Sequence, residues 1–159
     1  LPLALKTLAA EHDVRWVVIG DGPLRNDLQH LAEDWGLADR LVLPGRHPDP
    51  VRLLRGADLF VLPSISEGLG TSILDALALD VPVVATRSGG VEDILHNGAG
   101  LLVPVGDGAA LARAVASLLD DAELRRRTVE AGRVALQRFE LATMAAEMRA
   151  VYDSVAANR

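Results

Sequence analysis

The sequence predicts a single α/β domain built on a doubly wound parallel sheet, followed by a helical C-terminal tail. Five short apolar runs lack polar alternation, which is typical of strands covered on both faces. Amphipathic stretches with helical spacing separate these runs. After Val105 only helical patterns remain. Strand and helix therefore alternate up to Val105, which favours right-handed crossover units.

The limits of the strands follow from their flanking residues, because Gly, Pro and Ser interrupt extended runs. We expect strands at VRWVVIG (14–20), RLVLPG (40–45), DLFVLPS (58–64), VPVVAT (81–86) and GLLVPV (100–105).

Apolar residues at helical intervals identify the segments between the strands. The expected groups are Leu24, Leu28, Leu31 and Trp35, ended by Gly36; Val51, Leu54 and Ala57; Ile73, Leu74, Leu77 and Ala78; and a short helix over about 91–95. In the tail we expect helices with Leu111, Val115 and Leu118 behind an Asp107 N-cap, over 122–138, and over 141–155. These tail helices should pack across the sheet.

Composition narrows the class of protein. A chain of 159 residues, 50% of them hydrophobic, suits one domain over 1–159 with a sizeable core. The net charge of -6 and the lack of a long basic run argue against nucleic acid as a partner. Because cysteine is absent, disulfides and thiolate metal sites are excluded, and a cytoplasmic location is expected. The segment LPLALKTLAAEH is predicted to be neither a signal peptide nor a membrane span.

Glycine-rich loops follow four of the predicted strands. They are GDGP (20–23), PGRHPDP (44–50), SISEGLGT (64–71) and TRSGG (86–90). Ligands of open α/β sheets bind beyond the carboxyl ends of the strands, so we expect these loops to line one crevice.

The loop SISEGLGT is predicted to bind an anion such as a diphosphate. Gly68, Gly70 and Thr71 lead into a helix, whose free N–H groups and positive dipole end would face the crevice. Glu67 precedes the glycines and Asp75 lies about a turn inside the helix, so the two carboxylates are expected to accept from separate hydroxyls. The alternative left open by spacing is that the glycines serve turn geometry and both carboxylates are ordinary surface charges.

These residues resemble a known family. GDGP, the following PG, LPSISEGLGTSILDALALDVPVVAT and SGG occur in order, as in the Rossmann-like C-terminal half of retaining GT-B glycosyltransferases of the glycogen synthase and sucrose synthase type. This group includes the glycosyl transferases group 1. The resemblance covers nearly the whole chain, and its most specific element is an E-x7-E signature, represented here by Glu67 and Asp75.

The resemblance implies roles for individual residues of this sequence. Glu67 would be the catalytic carboxylate that faces the transferred sugar, and Asp75 would hold the ribose hydroxyls. The remaining donor-binding residues would be Gly68, Leu69, Gly70 and Thr71 at the diphosphate, Gly20 and Gly22 in the nucleotide crevice, Gly45 and Arg46 on the base side, and Gly89 and Gly90 near the donor sugar.

Three departures from the family pattern affect these expectations. Asp75 is one methylene shorter than the usual Glu, and Leu69 stands where Phe is usual. The strand that in relatives carries an Arg and a Lys for the departing diphosphate would precede Leu1. Because that strand lies centrally in relatives, between the strands expected at 14–20 and 58–64, this chain should show a central gap, a closed-up sheet or a borrowed strand.

The resemblance implies the donor-binding half of a glycosyltransferase that moves a hexose from a UDP-, GDP- or ADP-sugar to an acceptor with retention. No metal or other cofactor is expected, since no Asp-x-Asp occurs and the four histidines are isolated in sequence. The chain alone should bind the donor but scarcely catalyse, because the acceptor-binding N-terminal domain of relatives would lie elsewhere. Peripheral membrane association of the complete protein stays open.

Other functions remain as alternatives. A non-catalytic nucleotide-sugar-binding or regulatory module would keep the same crevice. A sugar-nucleotide epimerase on the same scaffold is less well matched by these motifs. A nicotinamide-dependent dehydrogenase is disfavoured because GDGP supplies no G-x-G-x-x-G.

Overall fold

The computed structural model describes residues 1–157, with strands and helices alternating as far as the fifth strand. The strands are β1 (Trp16–Ile19), β2 (Leu41–Gly45), β3 (Phe60–Leu62), β4 (Val83–Thr86) and β5 (Leu101–Val103). The helices are α1 (Pro2–Glu11), α2 (Arg25–Asp34), α3 (Pro50–Leu54), α4 (Thr71–Ala78), α5 (Val91–Ile94), α6 (Gly108–Asp120), α7 (Ala122–Leu136) and α8 (Leu141–Ala157). All five strands lie within the limits predicted from the sequence.

Two predicted helix limits have clear local causes. Gly36 adopts φ +67° after α2, and the next residue, Leu37, donates from its N–H to Ala32 O at 2.7 Å. This left-handed turn closes the C-terminus of α2 in the manner that glycine favours. Asp107 accepts a hydrogen bond from Ala110 N at 2.8 Å and so caps α6.

Helix α1 is an element that the sequence analysis did not predict. Its buried residues Ala4, Leu5 and Leu8 lie on one face, and α1 packs against α6. The spacing of Ala4 and Leu8 was a usable signal of this face, because residues four apart are neighbours on a helix. The segment was considered only as a leader or a membrane span.

The sheet is in two parts. β1 pairs with β2 in one sheet, whereas β3, β4 and β5 form a second, and every pairing is parallel. Within residues 1–157 no strand links β1 to β3. The α/β fold with parallel strands is confirmed, but the continuous sheet is not observed. Of the three arrangements expected for a chain without the central strand, the structure shows the gap.

The core lies on both faces of the three-stranded sheet. Val83 and Ala85 of β4 face a cluster formed by α3, α4, α5 and α7, and the alternate residue Val84 faces α1 and α6. All four residues of β4 are buried. This strand is therefore the fixed centre of the domain, and the loop that follows it starts from a rigid position.

Helix α8 departs from the expectation that the tail packs across the sheet. α6 contacts β4 and β5 and α7 packs on α4, but α8 contacts mainly the short helical turn at Gln137–Phe139. Its apolar residues are exposed, among them Leu141, Met144, Met148, Val151, Tyr152 and Val155. The prediction of sheet packing is thus wrong for α8. No helix in the described part of the chain is both long and apolar enough to cross a membrane.

Candidate functional site

The loop between β3 and α4 ends in a glycine that sets the start of the helix. Gly70 is the N-cap of α4 at φ +71°, ψ +49°, a left-handed conformation suited to glycine. A Cβ at this position would lie 3.2 Å from Ile73 Cδ1 and 3.4 Å from Glu67 Cγ. No side chain caps the helix. The first N–H groups of α4 are therefore available, together with the positive end of the helix dipole.

Glu67 lies beside this helix start. Its Cγ is the atom that a side chain on Gly70 would meet, which places the glutamate over the first residues of α4. The side chain is half-buried and its Oε2 accepts a hydrogen bond from Ser64 Oγ at 3.2 Å. Among the described residues no Lys, Arg or His forms a salt bridge with it. An uncompensated carboxylate thus stands at the mouth of the uncapped helix.

Asp75 lies further along α4 on its exposed face. Ile73, Ala76 and Leu77 bury the opposite face, whereas Thr71 and Asp75 are exposed one turn apart. Helical side chains lean toward the helix N-terminus, so the Asp75 carboxylate leans toward Thr71. Glu67 therefore lies at the start of α4 and Asp75 lies one turn inside the helix.

Gly89 and Gly90, in the loop after β4, pack directly on the backbone at Glu67 and Gly68. Gly90 N donates to Gly68 O at 2.8 Å. A Cβ on Gly89, which has φ +55°, would overlap Glu67 O, and a Cβ on Gly90 would lie 2.8 Å from Gly68 O. The two loops can approach this closely only because both positions are glycine.

This contact also fixes the direction of two amides. In a trans peptide the N–H points opposite to the C=O. Since the carbonyls of Glu67 and Gly68 face the Gly89–Gly90 loop, the N–H groups of Gly68 and Leu69 point away from it. Successive N–H groups with a helix N-terminus form a concavity suited to an anion.

The other predicted residues form a second group, on the two-stranded sheet. Gly20 N donates to Gly45 O at 2.9 Å, which joins the loops after β1 and β2. Open space surrounds Gly20 and Gly22, and the side chain of Arg46 is exposed. Direct contacts therefore bring Gly20 and Gly45 together, and Glu67 with Gly68, Gly70, Gly89 and Gly90. No hydrogen bond among the described residues joins the two groups.

Two polar residues near Glu67 were not among the predicted site residues. Thr86, buried at the end of β4, donates to Ser64 O at 2.5 Å. The hydroxyl of Ser88 is buried without a hydrogen-bond partner among the described residues. Neither arrangement could be found in the sequence, because it depends on how the loops after β3 and β4 pack together.

Other prominent features lie elsewhere. A cavity of about 540 Å³ is lined by residues that include His96, Ala135, Arg138 and Thr143, outside the four glycine-rich loops. Within residues 1–157 no group of three or more His, Asp or Glu side chains could hold a metal ion. The uncapped start of α4, not cavity size, makes the β3–α4 loop the candidate site.

Comparisons with known proteins identify the family of this chain. The model of the family described as Glycosyl transferases group 1 matches residues 1–135. The putative glycosyltransferase EpsD of Bacillus subtilis is 34% identical over 142 residues, which make up 89% of this chain and 37% of that protein. The 2-deoxystreptamine N-acetyl-D-glucosaminyltransferase of Streptomyces fradiae is 42% identical over 119 residues, 73% of this chain and 28% of that protein. The chain thus spans about a third of the length of these two relatives.

Solved structures share the fold. A glycosyltransferase from Rickettsia africae superposes with a TM-score of 0.84 at 25% identity, covering 100% of this chain and 44% of that chain. The Anabaena protein HepE, solved in complex with UDP-glucose, superposes with a TM-score of 0.83 at 24% identity and covers 96% of this chain and 44% of that chain.

Proposed function

Because the chain belongs to the glycosyl transferases group 1 family, we propose that it is the donor-binding part of an enzyme that moves a hexose from a nucleoside-diphosphate sugar to an acceptor with retention of configuration. The observation that carries this proposal is the uncapped start of α4, with Glu67 at its mouth and the Gly89–Gly90 loop packed behind it. Such a site suits a ligand that combines an anion with a hydroxyl-bearing sugar.

In this proposal the diphosphate of the donor binds at the start of α4. The N–H groups of Gly70 and Thr71, with those of Gly68 and Leu69, would donate to its oxygens. Stabilisation of negative charge on a departing diphosphate by fixed donors lowers the barrier to transfer. We therefore propose that the transfer needs no metal ion.

The carboxylates distinguish the two ends of the donor. Glu67 would accept hydrogen bonds from the hydroxyls of the transferred sugar, and Asp75 from the ribose. Asp75 is exposed and has a short side chain, so a bridging water fits its role as well as direct contact. Gly20, Gly22, Gly45 and Arg46 would lie toward the base.

We propose that the acceptor is bound by protein outside these 159 residues. The solved relatives support this proposal, because the matched region is 44% of their chains. The N-terminal GT-B domain is the expected partner, and the chain by itself should bind donor without appreciable transfer.

A module that binds a sugar nucleotide without transferring its sugar is the second candidate. Leu69 and Asp75, which replace the Phe and Glu usual in the family, favour it because both changes remove donor contacts. Assay of the complete protein for sugar transfer separates the two candidates. Proton NMR of the product then reports whether the configuration at the transferred carbon is retained.

A thermal-shift panel tests donor binding. UDP, GDP, ADP, UDP-glucose, GDP-mannose and ADP-glucose are each added to the chain in EDTA and, separately, in Mg²⁺. A ligand that binds only the folded state stabilises it by about 2.7 kcal/mol at 100 times its Kd, and this stabilisation raises the transition temperature. We expect the ligands that carry one of the three bases to raise the transition temperature by the same amount in EDTA and in Mg²⁺. No shift with any ligand would contradict both candidates, and a shift only with Mg²⁺ would contradict metal independence.

A further inference from the structure

A chain of hydrogen bonds runs from the buried end of β4 to the Glu67 carboxylate. Thr86 Oγ1 donates to Ser64 O at 2.5 Å and lies 3.3 Å from Leu62 O. Ser64 Oγ in turn donates to Glu67 Oε2 at 3.2 Å. These hydrogen bonds link the Thr86 side chain to the Ser64 backbone and the Ser64 side chain to the Glu67 carboxylate. They therefore couple the position of the β3–α4 loop to the orientation of that carboxylate.

Thr86 is the fixed end of this chain. It is 4% exposed and is the last residue of β4, paired in register with Val103 of β5. A buried hydroxyl requires a hydrogen-bond partner, and the two carbonyls at the end of β3 provide it. Thr86 thereby holds the backbone of Ser64 against the most rigid strand of the domain.

Ser64 engages only one of the two oxygens of Glu67. The terminal torsion of a glutamate side chain is broad, so a carboxylate without a partner samples many orientations. The Ser64 hydroxyl restricts this rotation from one side, while the packing of Gly89 restrains the backbone carbonyl of the same residue. Among the described residues none donates a hydrogen bond to Glu67 Oε1, so this oxygen is free to accept one from a ligand.

The length of the Ser64 bond indicates how it acts. At 3.2 Å it is longer than the 2.7–2.8 Å typical of hydroxyl-to-oxygen bonds. A bond of this length contributes little to folding stability. Any effect of this bond on the orientation of the carboxylate should therefore appear in ligand discrimination more than in the unfolding temperature.

We propose that Ser64 and Thr86 are positioning residues that hold the Glu67 carboxylate for the sugar of the donor. This inference rests on the proposed function and assigns the sugar-discriminating role of Glu67 to a three-residue unit. The diphosphate and nucleoside are held by other groups, so the unit affects only the part of binding that depends on the sugar.

Calorimetric titration with UDP-glucose and with UDP tests the unit. For Ser64→Ala we expect UDP-glucose to bind about threefold to tenfold more weakly, since one hydrogen bond to a charged group is lost indirectly. UDP should change by less than about twofold. Ser64→Thr keeps the hydroxyl and should restore most of the preference. Ser117→Ala is the matched control, because Ser117 Oγ donates to Ala114 O within α6, outside the site.

A double-mutant cycle shows whether Ser64 acts through Glu67. In a Glu67→Ala background, Ser64→Ala should cause no further loss of UDP-glucose affinity, because residues that act as a unit are not additive. Thr86→Val should reproduce the loss of sugar preference together with a lower unfolding temperature, whereas Thr86→Ser should retain the preference.

Each result has a defined meaning. Equal weakening of UDP and UDP-glucose by Ser64→Ala, an unchanged UDP-glucose affinity, or a full additional loss in the Glu67→Ala background would overturn the positioning role. In those cases the wild-type protein still binds UDP-glucose and the proposed function stands. If wild type binds neither UDP-glucose nor GDP-mannose nor ADP-glucose, the proposed function fails, and the positioning role fails with it.

Discussion

The two sheets of the molecule differ in how completely they are covered, although all their strands are parallel. In β4 every residue is buried, and Val84 is 0% exposed. In β1 burial alternates along the strand, and the side chain of Val17 is 52% exposed. Ile19 of β1 and Val42 of β2 are also exposed. The sheet with the buried central strand positions the Gly89–Gly90 loop directly against the β3–α4 loop, whereas a Cβ on Gly20 or Gly22, after β1, would meet no atom within 4 Å.

This difference separates two kinds of binding surface. The β3–α4 loop is held by Thr86, Gly89 and Gly90 before any ligand arrives. A site held in this way loses less conformational freedom on binding and is better organised to stabilise developing charge. The loops after β1 and β2 share one backbone bond, between Gly20 and Gly45. The diphosphate and sugar side of the site should thus be rigid, and the base side adaptable.

The largest expected effect comes from separating the two packed loops. Gly89→Ala places a methyl group in the carbonyl oxygen of Glu67 and strains a residue at φ +55°. Strain at one such position costs about 1–3 kcal/mol, and the overlap adds to it, so unfolding monitored by circular dichroism should show a loss of about 2 kcal/mol or more.

Gly56→Ala is the control for that change. Its Cβ would make only an ordinary 3.7 Å contact with Leu53 O, and its φ is not in the left-handed region. We expect a change within about 0.5 kcal/mol. Similar losses for both variants would show that the loops are not tightly packed at Gly89.

A matched pair of substitutions compares the two sheets directly. Val84→Thr puts a hydroxyl into the core at the same size and should cost about 1–3 kcal/mol, because the buried group lacks a partner. Val17→Thr makes the same change on an exposed strand face and should cost less than about 0.5 kcal/mol. Urea unfolding of both variants measures this. A cost for Val17→Thr equal to that for Val84→Thr would mean that the face of β1 is covered in solution.

The smallest effect concerns an ion pair that ties α7 to the turn before β4. Arg133 Nε and Nη2 donate to the two oxygens of Asp80 at 2.6 and 2.7 Å, and these bonds lower the pKa of Asp80. A lowered pKa stabilises the fold above the ordinary carboxyl value, and that stabilisation is lost as the pH falls through the folded-state pKa.

Asp80→Asn should therefore lower the unfolding temperature slightly at pH 7 and by progressively less as the pH falls below the ordinary Asp pKa of about 4. Asn also tolerates the left-handed backbone of this residue, φ +59°. Both partners are about half exposed, so added salt should shrink the difference. A difference that stays the same as the pH falls below about 4 would show that the substitution acts on the backbone and not on the charge.

The sequence predicted the parts of the fold that depend on local pattern. The five strands were evident because uninterrupted apolar runs end at Gly, Pro or Ser, and the Asp107 cap because its side chain acts on residues three positions away. The division of the sheet was one of three arrangements that the resemblance to the family left open. Helix α1 was missed although its spacing was helical, and α8 was expected to pack when its apolar face is exposed.

The candidate site, like the fold, could be predicted only where local spacing in the sequence determines it. Glu67, Gly70 and Asp75 could be predicted because their spacing in the chain sets their places at the helix start. The contact of Gly89 with the carbonyl of Glu67, and the bond from Thr86 to the Ser64 carbonyl, join residues 22 positions apart in the chain. Their distances depend on how two strands pair, which no local pattern encodes.

We propose that the β3–α4 loop holds a diphosphate while Glu67 binds the sugar beyond it. Calorimetric titration of wild type, Glu67→Ala and Asp75→Ala with UDP and UDP-glucose, or with the base selected by the thermal-shift panel, tests it most directly. Glu67→Ala should weaken the sugar nucleotide about tenfold or more and the free diphosphate much less, since charge-assisted bonds worth roughly 1.5–3 kcal/mol are lost only with the sugar. Asp75→Ala should weaken both ligands alike, because both carry the ribose. Equal affinities of wild type and Glu67→Ala for the sugar nucleotide would contradict the claim.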